Sequence, residues 1–174
     1  MLAAAYGKKL VLEFERTAGD EIQGLVRDAD LVVRIVADLV RRGGWSIGIG
    51  SGPVEEPLPG NVRAGRGPAF VHARDAVERA KSYPTGVAVA ADDAAAAERS
   101  ETALWLLADL LARRSDAGWE AVDAMRKVER QTDAAVRLGI SPQAMSRRLR
   151  VAGWSEEGRA RALAVWVLES GEES

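Results

Sequence analysis

The apolar positions of residues 8–42 change from the spacing of strands to the spacing of a helix. Residues 8–16 and 21–26 are short β-like stretches on either side of a polar turn, which predicts a hairpin. Over residues 28–42, apolar residues recur at steps of three and four, which predicts an amphipathic helix. Residues 45–50 then alternate large residues with small ones, a pattern typical of a strand that is closely approached on one face.

The pattern changes again after residue 50, first to a loop and then to helices. Residues 51–68 are rich in proline and glycine and predict a loop. Pro68 begins a predicted helix that runs to about Lys81, and residues 87–89 form a strand candidate. Beyond residue 92 only helices are predicted, at about 98–114, 116–127, 131–138, 142–152 and 156–169. The sequence therefore predicts an α+β protein with an α+β domain at 1–91 and an all-α domain at 92–174.

Residues 131–154 carry the most specific local pattern in the chain. Gly139 ends the first short helix where a left-handed backbone is needed, a conformation that glycine adopts at low cost. Ser141 then offers a hydroxyl N-cap directly before a proline, which is a favourable helix start. Met145 and Leu149 fall on one inward face of the second helix. The pattern predicts a helix-turn-helix.

The other face of the second helix is polar and basic. A helix of this kind in the major groove presents its N-terminal and outward residues to base edges and phosphates. We expect Gln143 to recognise adenine, Arg147 to contact guanine or a phosphate, and Arg150 to hold the DNA backbone. The Ser141 hydroxyl and the first amides of the helix suit a phosphate oxygen. The predicted DNA-binding residues are Ser141, Gln143, Ser146, Arg147 and Arg150.

Charge is distributed unevenly and supports this interpretation. Residues 126–161 hold nine Lys/Arg and four Asp/Glu, a net charge of +5, so the rest of the chain carries −7 of the total −2. A basic module on an acidic body is suited to local attraction of phosphates. A solvated, arginine-rich helical surface would show the same composition.

The pattern of residues 131–154 resembles the tri- and tetrahelical helix-turn-helix family of bacterial regulators. The matching residues are Ala135, Gly139, Ile140, Ser141, Met145 and Leu149. Arg130 departs from that pattern, because Ser, Thr or Asp usually caps the first helix at this position. The resemblance implies a transcriptional regulator that binds double-stranded DNA, with a homodimer on paired half-sites.

The first half resembles a ferredoxin-like sheet and, more specifically, the nucleotide cyclases. The hairpin tip at 18–21 resembles the turn of class III nucleotide cyclases and diguanylate cyclases, and segments 47–52 and 67–74 match their later strand and helix in order. With the C-terminal unit, the chain is identified as a member of the SatD-like family, over most of residues 10–155. The segments that carry this resemblance are AGDEIQGL at 18–25, WSIGIG at 45–50, GPAFVHARDAVERAK at 67–81 and the helix-turn-helix.

The cyclase resemblance implies a weak ligand or metal site at Asp20 and Glu21. In active cyclases the hairpin aspartate and an aspartate from the first strand hold two metal ions. Here the chain begins at what looks like the second strand, so we expect the first strand and its aspartate to be missing. We therefore predict no catalysis, no metal and no cofactor, and a first domain that dimerises or senses a small ligand such as a nucleotide.

Composition excludes several other classes of protein. Hydrophobic residues make up 47% of the chain and charged residues 29%, which excludes a wholly disordered chain, and the lack of cysteine excludes disulfides and thiolate metal sites. No apolar run approaches the roughly 20 residues of a spanning helix, so we expect no membrane partner. The lack of cysteine fits a reducing compartment, and we expect a cytoplasmic location. Two alternatives stay open. One is a nucleotide-binding or cyclase-type enzyme remnant that uses Asp20, and the other is a protein-interaction scaffold.

Overall fold

A computed structural model describes residues 5–17 and 19–172, and its elements make an α+β protein, as predicted. Ala18 of the hairpin motif and the ends of the two predicted domains, 1–4 and 173–174, lie outside the described residues. In the first half the elements are β1 (Leu12–Arg16), β2 (Ile22–Leu25), α1 (Ala29–Arg42), β3 (Ile47–Gly50), α2 (Pro68–Ala80) and β4 (Val87–Ala90). Helices follow in the second half as α3 (Ala94–Ala112), α4 (Asp116–Met125), α5 (Gln131–Leu138), α6 (Pro142–Val151) and α7 (Trp154–Glu172).

The strands pair as two small sheets. β1 and β2 form the predicted antiparallel hairpin, with Arg16 opposite Ile22, and β3 lies parallel to β4, with Ile47 opposite Val87. Among the described strands, neither strand of the hairpin pairs with β3 or β4. The four strands therefore do not form one continuous ferredoxin-like sheet. The α+β class is confirmed, whereas a ferredoxin- or cyclase-like order within it stays a prediction.

Helix α2 packs directly against β3 because two glycines leave space for its backbone. A Cβ at Gly48 would lie 2.3 Å from the backbone nitrogen of Val77, and one at Gly50 would lie 2.2 Å from the carbonyl oxygen of Ala69. The predicted close approach on one face of this strand is confirmed. It places β3, α2 and β4 in a tight parallel β-α-β unit.

Side chains cover the edge of β4 that faces away from β3. Glu101 Oε2 accepts a hydrogen bond of 2.9 Å from the Val89 N–H, and the Trp105 indole donates one of 2.6 Å to the Val87 carbonyl. Arg79 donates to the Val89 carbonyl. These groups bond the Val87 and Val89 carbonyls and the Val89 N–H, and they occupy the edge at which a further strand would pair.

Of three hydrophobic clusters in the described residues, the two largest lie in different parts of the molecule, and the domain boundary at residue 92 stays a prediction. The larger cluster joins buried residues of α1, β3 and β4 to residues of α3 and to Ala164 of α7. The second cluster lies entirely within 121–152, on α4, α5 and α6. Helices α3 and α7 thus share the core of the first half, and the helix-turn-helix has a small core of its own. No helix in the described part of the chain has both the length and the apolar character needed to cross a bilayer.

Candidate nucleic-acid interface

Helices α5 and α6 are joined by the tight turn that the sequence predicts. Gly139 has φ 63° and ψ 32°, in the left-handed region, and its N–H donates to the carbonyl oxygens of Ala135 and Val136. The N–H of Ile140 also donates to the Ala135 carbonyl, at 3.1 Å. These bonds close the last turn of α5, and α6 begins after only three connecting residues.

Ser141 begins α6 as its N-cap. Its Oγ accepts a hydrogen bond of 3.2 Å from the N–H of Ala144, and Pro142 occupies the first helical position. The capping bond uses an acceptor lone pair of the hydroxyl and leaves its proton to donate. Ser141 is exposed, so that proton can reach a phosphate oxygen at the helix start.

The inner face of α6 is apolar and fully packed. Met145 is 0% exposed and Leu149 is 5% exposed. They lie in one cluster with Ala134 and Ala135 of α5 and with Val122 of α4. This packing fixes the rotation of α6 about its axis, and therefore which side chains it turns to solvent.

All five residues predicted to contact DNA are exposed. They are Ser141, Gln143, Ser146, Arg147 and Arg150. Three of them, Gln143, Arg147 and Arg150, recur at steps of four and three and so form a single stripe along α6. The stripe lies opposite the buried Met145 and Leu149 and has the length of about two helical turns.

The arginines of this module fall into two groups. Arg148 lies 3.3 Å from Glu120 of α4, and Arg126 and Arg161 both contact Glu157. Within the described part of the chain, the exposed arginines without an ion-pair partner include Arg130, Arg137, Arg147 and Arg150. The sequence pattern alone did not separate these groups, because Glu120 lies 28 residues from Arg148 and Glu157 lies 31 residues from Arg126; only Arg161 is close to its partner along the chain.

A buried carboxylate holds the helix-turn-helix to the body of the protein. Glu157 at the start of α7 accepts hydrogen bonds of 2.7 Å from Arg126 and 2.8 Å from Arg161. The fully buried Arg114 places Nη2 2.9 Å from Glu157 Oε2, an ion pair without hydrogen-bond geometry, and donates from Nε to the Ala152 carbonyl at 2.9 Å. The segment after α3, the end of α4 and the start of α7 therefore meet at Glu157, and Arg114 links the end of α6 to the same cluster.

Burial and the neighbouring charges shift the pKa values of this cluster in opposite directions. Burial works to raise the pKa of Glu157, but hydrogen bonds and charge from the surrounding arginines outweigh it and hold the pKa below its ordinary value. Burial lowers the pKa of Arg114, although Glu157 partly opposes this. The lowered pKa of Glu157 means that the cluster stabilises the ionised carboxylate.

A second contact joins α4 to α1. Arg41 at the end of α1 bonds Asp123 of α4 through both guanidinium nitrogens, with Nη1 2.8 Å from Oδ1. The hydrogen bond from Arg41 holds the pKa of Asp123 below its ordinary value. The guanidinium groups of Arg41 and Arg114 lie 4.2 and 4.3 Å from the ring centroid of Trp119. Each guanidinium therefore makes a cation–π contact with the indole and helps to set the orientation of α4.

The hairpin tip shows no comparable constellation. Asp20 and Glu21 are exposed, and Glu21 Oε1 lies 3.5 Å from Lys81 Nζ. The described residues contain no group of three or more His, Cys, Asp or Glu side chains arranged to hold a metal ion. The ligand or metal site expected at Asp20 and Glu21 stays a prediction.

Comparison of the chain with protein-family models, with curated proteins and with solved structures found no match. The resemblances to the SatD-like family and to helix-turn-helix regulators therefore rest on the motifs quoted above.

Proposed function

We propose that the protein is a cytoplasmic, sequence-specific DNA-binding regulator that inserts α6 into the major groove of double-stranded DNA. The observation that carries the proposal is the division of α6 into two faces. Met145 and Leu149 are buried, while Ser141, Gln143, Ser146, Arg147 and Arg150 are all exposed. An exposed stripe of amide and guanidinium groups on a helix of this length suits the base edges of the major groove.

Four of the five exposed residues have an assigned contact in this proposal. The amide of Gln143 bonds adenine in a bidentate manner, and the Arg147 guanidinium bonds the O6 and N7 acceptors of guanine or a phosphate. Arg150 and the Ser141 hydroxyl contact phosphate oxygens and so fix the position of the helix along the duplex. The remaining elements supply the regulatory part of the molecule, by pairing two copies or by sensing a small ligand such as a nucleotide.

The direct test selects a duplex from a random-sequence library with the full chain. Affinity for that duplex and for a scrambled duplex is then measured by fluorescence anisotropy across a salt series. The parent chain should prefer the selected duplex, and its affinity should fall steeply as salt rises, since each neutralised phosphate releases counterions. Arg147→Ala should reduce the binding free energy by about 1–3 kcal/mol, mainly for the selected duplex. Arg150→Ala should weaken binding to both duplexes and reduce the slope of log affinity against log salt concentration by about 1.

Arg148→Ala provides a matched control on the same helix. It removes the same charge, but its guanidinium is turned toward Glu120 on α4. It should change DNA affinity far less than the Arg147 substitution does. Failure to select any duplex, or equal losses for all three variants, would contradict the proposal that this face of α6 reads DNA.

A further inference from the structure

A patch of exposed apolar side chains lies on α3 and α7, outside the helix-turn-helix. It comprises Leu106, Leu163 and Trp166, which are 61%, 44% and 62% exposed. Leu106 and Leu163 line the same shallow groove, whose other walls include Ala103 and Val167. Leu163 and Trp166 are three residues apart on α7 and therefore adjacent on its surface. We call these three residues the α3/α7 patch.

The core-facing side of α7 is already packed without the residues of this patch. Ala164 is fully buried, and Val165, Val167 and Leu168 contact the main core. Helices α3 and α7 lie antiparallel and in close contact, since a Cβ at Gly171 would lie 3.3 Å from the Cβ of Ala96 and the opposite end, Gly153, lies beside Leu110. The patch residues thus project away from a complete helix pair. A contiguous apolar surface with this origin is typical of an interaction site.

The polar rim of the patch carries a positive charge on one side along α7 and a negative charge on the other. Arg159 precedes the patch on α7 and Glu169 follows it, and both side chains are exposed. Neither forms an ion pair with another of the described residues. Along the helix axis, Arg159 lies about 8 Å to one side of the midpoint between Leu163 and Trp166, and Glu169 lies about 7 Å to the other side.

We propose that a second copy of this chain docks on the α3/α7 patch, with its α7 antiparallel to the first about a two-fold axis between residues 164 and 165. In that arrangement Trp166 of each copy packs on Leu163 of the other. The nearly equal offsets bring Arg159 of each copy to Glu169 of the second copy, twice across the axis. A self-complementary patch of this kind is what a closed two-fold dimer requires.

The charge order favours a second copy over a partner of one charge. A nucleic acid would meet Glu169 and also Glu98, which lines the groove together with Arg99. A strongly acidic or basic protein would satisfy one end of α7 and be repelled by the other. For DNA binding, a two-fold dimer would present two α6 helices to paired half-sites. That consequence rests on the function proposed above, whereas the dimer itself does not.

The test measures the mass of the full chain in the absence of DNA, by analytical ultracentrifugation over a concentration series. The parent chain should form a dimer. Trp166→Glu should raise the dimer dissociation constant by at least about tenfold, because it buries a charge at the centre of the interface. Val71→Glu on α2 is the matched control, since Val71 is 60% exposed and lies on neither helix of the patch. It should leave the dimer unchanged, and circular dichroism should show that both variants fold.

A charge exchange tests the antiparallel arrangement itself. Arg159→Glu and Glu169→Arg should each weaken the dimer, and the double variant should recover affinity because the two signs again oppose each other. A monomeric parent chain, or a Trp166→Glu variant that dimerises like the parent, would overturn the proposal. Loss of affinity in the double variant beyond either single variant would overturn the antiparallel pairing. None of these readouts involves DNA, so they can fail while DNA binding by α6 is confirmed, and the reverse is also true.

Discussion

Single residues set the ends of the helices in the helix-turn-helix. Gly139 takes the left-handed conformation that ends α5, and Ser141 accepts the hydrogen bond that begins α6. Both roles could be predicted from residue type, because each depends on backbone groups only three or four positions away. The side chain of Arg148 could not be placed in this way, since its partner Glu120 lies 28 residues earlier.

Gly139→Ala should therefore destabilise the protein. No atom lies within 4 Å of a Cβ built at Gly139, so the cost is confined to the left-handed backbone, at about 1–2 kcal/mol. Gly158→Ala is the control with the opposite sign. Gly158 lies inside α7, also with open space around its Cβ, and alanine there should stabilise the protein by roughly 0.5–1 kcal/mol. Urea denaturation measures both changes, and equal effects of the two substitutions would contradict the conformational argument.

At the level of elements, the crossing of α2 over β3 depends on the absence of side chains. The alternation of residues 45–50 predicted a strand with one closely approached face, and α2 occupies that face. Which helix would lie there was not contained in the alternation. The pairing of β3 with β4 rather than with β1 was equally outside the local pattern, since strand partners are chosen across long stretches of chain.

Gly50→Ala should disrupt this crossing. Its Cβ would lie 2.2 Å from both the Ala69 carbonyl oxygen and the Ala73 nitrogen, and these are backbone atoms that cannot rotate away. We expect a loss of about 1–3 kcal/mol in the free energy of unfolding, as is typical of overpacking. Gly60→Ala, which meets no atom within 4 Å, should leave stability within about 0.5 kcal/mol of the parent. Chemical denaturation of the two variants separates them, and a neutral Gly50→Ala would show that α2 can move away at low cost.

At the scale of the whole molecule, Glu157 and Asp123 join the helix-turn-helix to the body. Glu157 contacts Arg114, Arg126 and Arg161, and Asp123 contacts Arg41 of α1. The pKa of each carboxyl is below its ordinary value in the folded protein, so the unfolded chain binds more protons as the pH falls. Both contacts therefore stabilise the fold fully above the ordinary pKa values of 4.5 and 3.8, and this stabilisation is lost at lower pH.

Glu157→Gln should change both the level and the pH dependence of stability. At neutral pH the substitution leaves the buried Arg114 without its ionic partner, which should cost roughly 3–5 kcal/mol. Below pH 4.5 the difference from the parent should narrow, because the unfolded parent chain protonates this carboxyl first and the folded parent protonates it only at lower pH. Urea denaturation across pH 3–7 measures this. Glu120→Gln, at an exposed ion pair, should cost less than about 1 kcal/mol, and a constant offset between Glu157→Gln and the parent at all pH values would contradict the linkage.

Residue types and their spacing are enough to establish the α+β class, the order of the elements and the polar stripe on α6. Caps, left-handed glycines and helical periodicity act within a few residues, and they placed Gly139, Ser141 and the exposed Arg147 correctly. The sharing of one core by α1, α3 and α7, the separation of the two sheets and the burial of Arg114 against Glu157 depend on contacts between distant segments. Such contacts depend on which apolar faces pack together and on which charged groups that packing removes from water. No local pattern of the sequence specifies those partners.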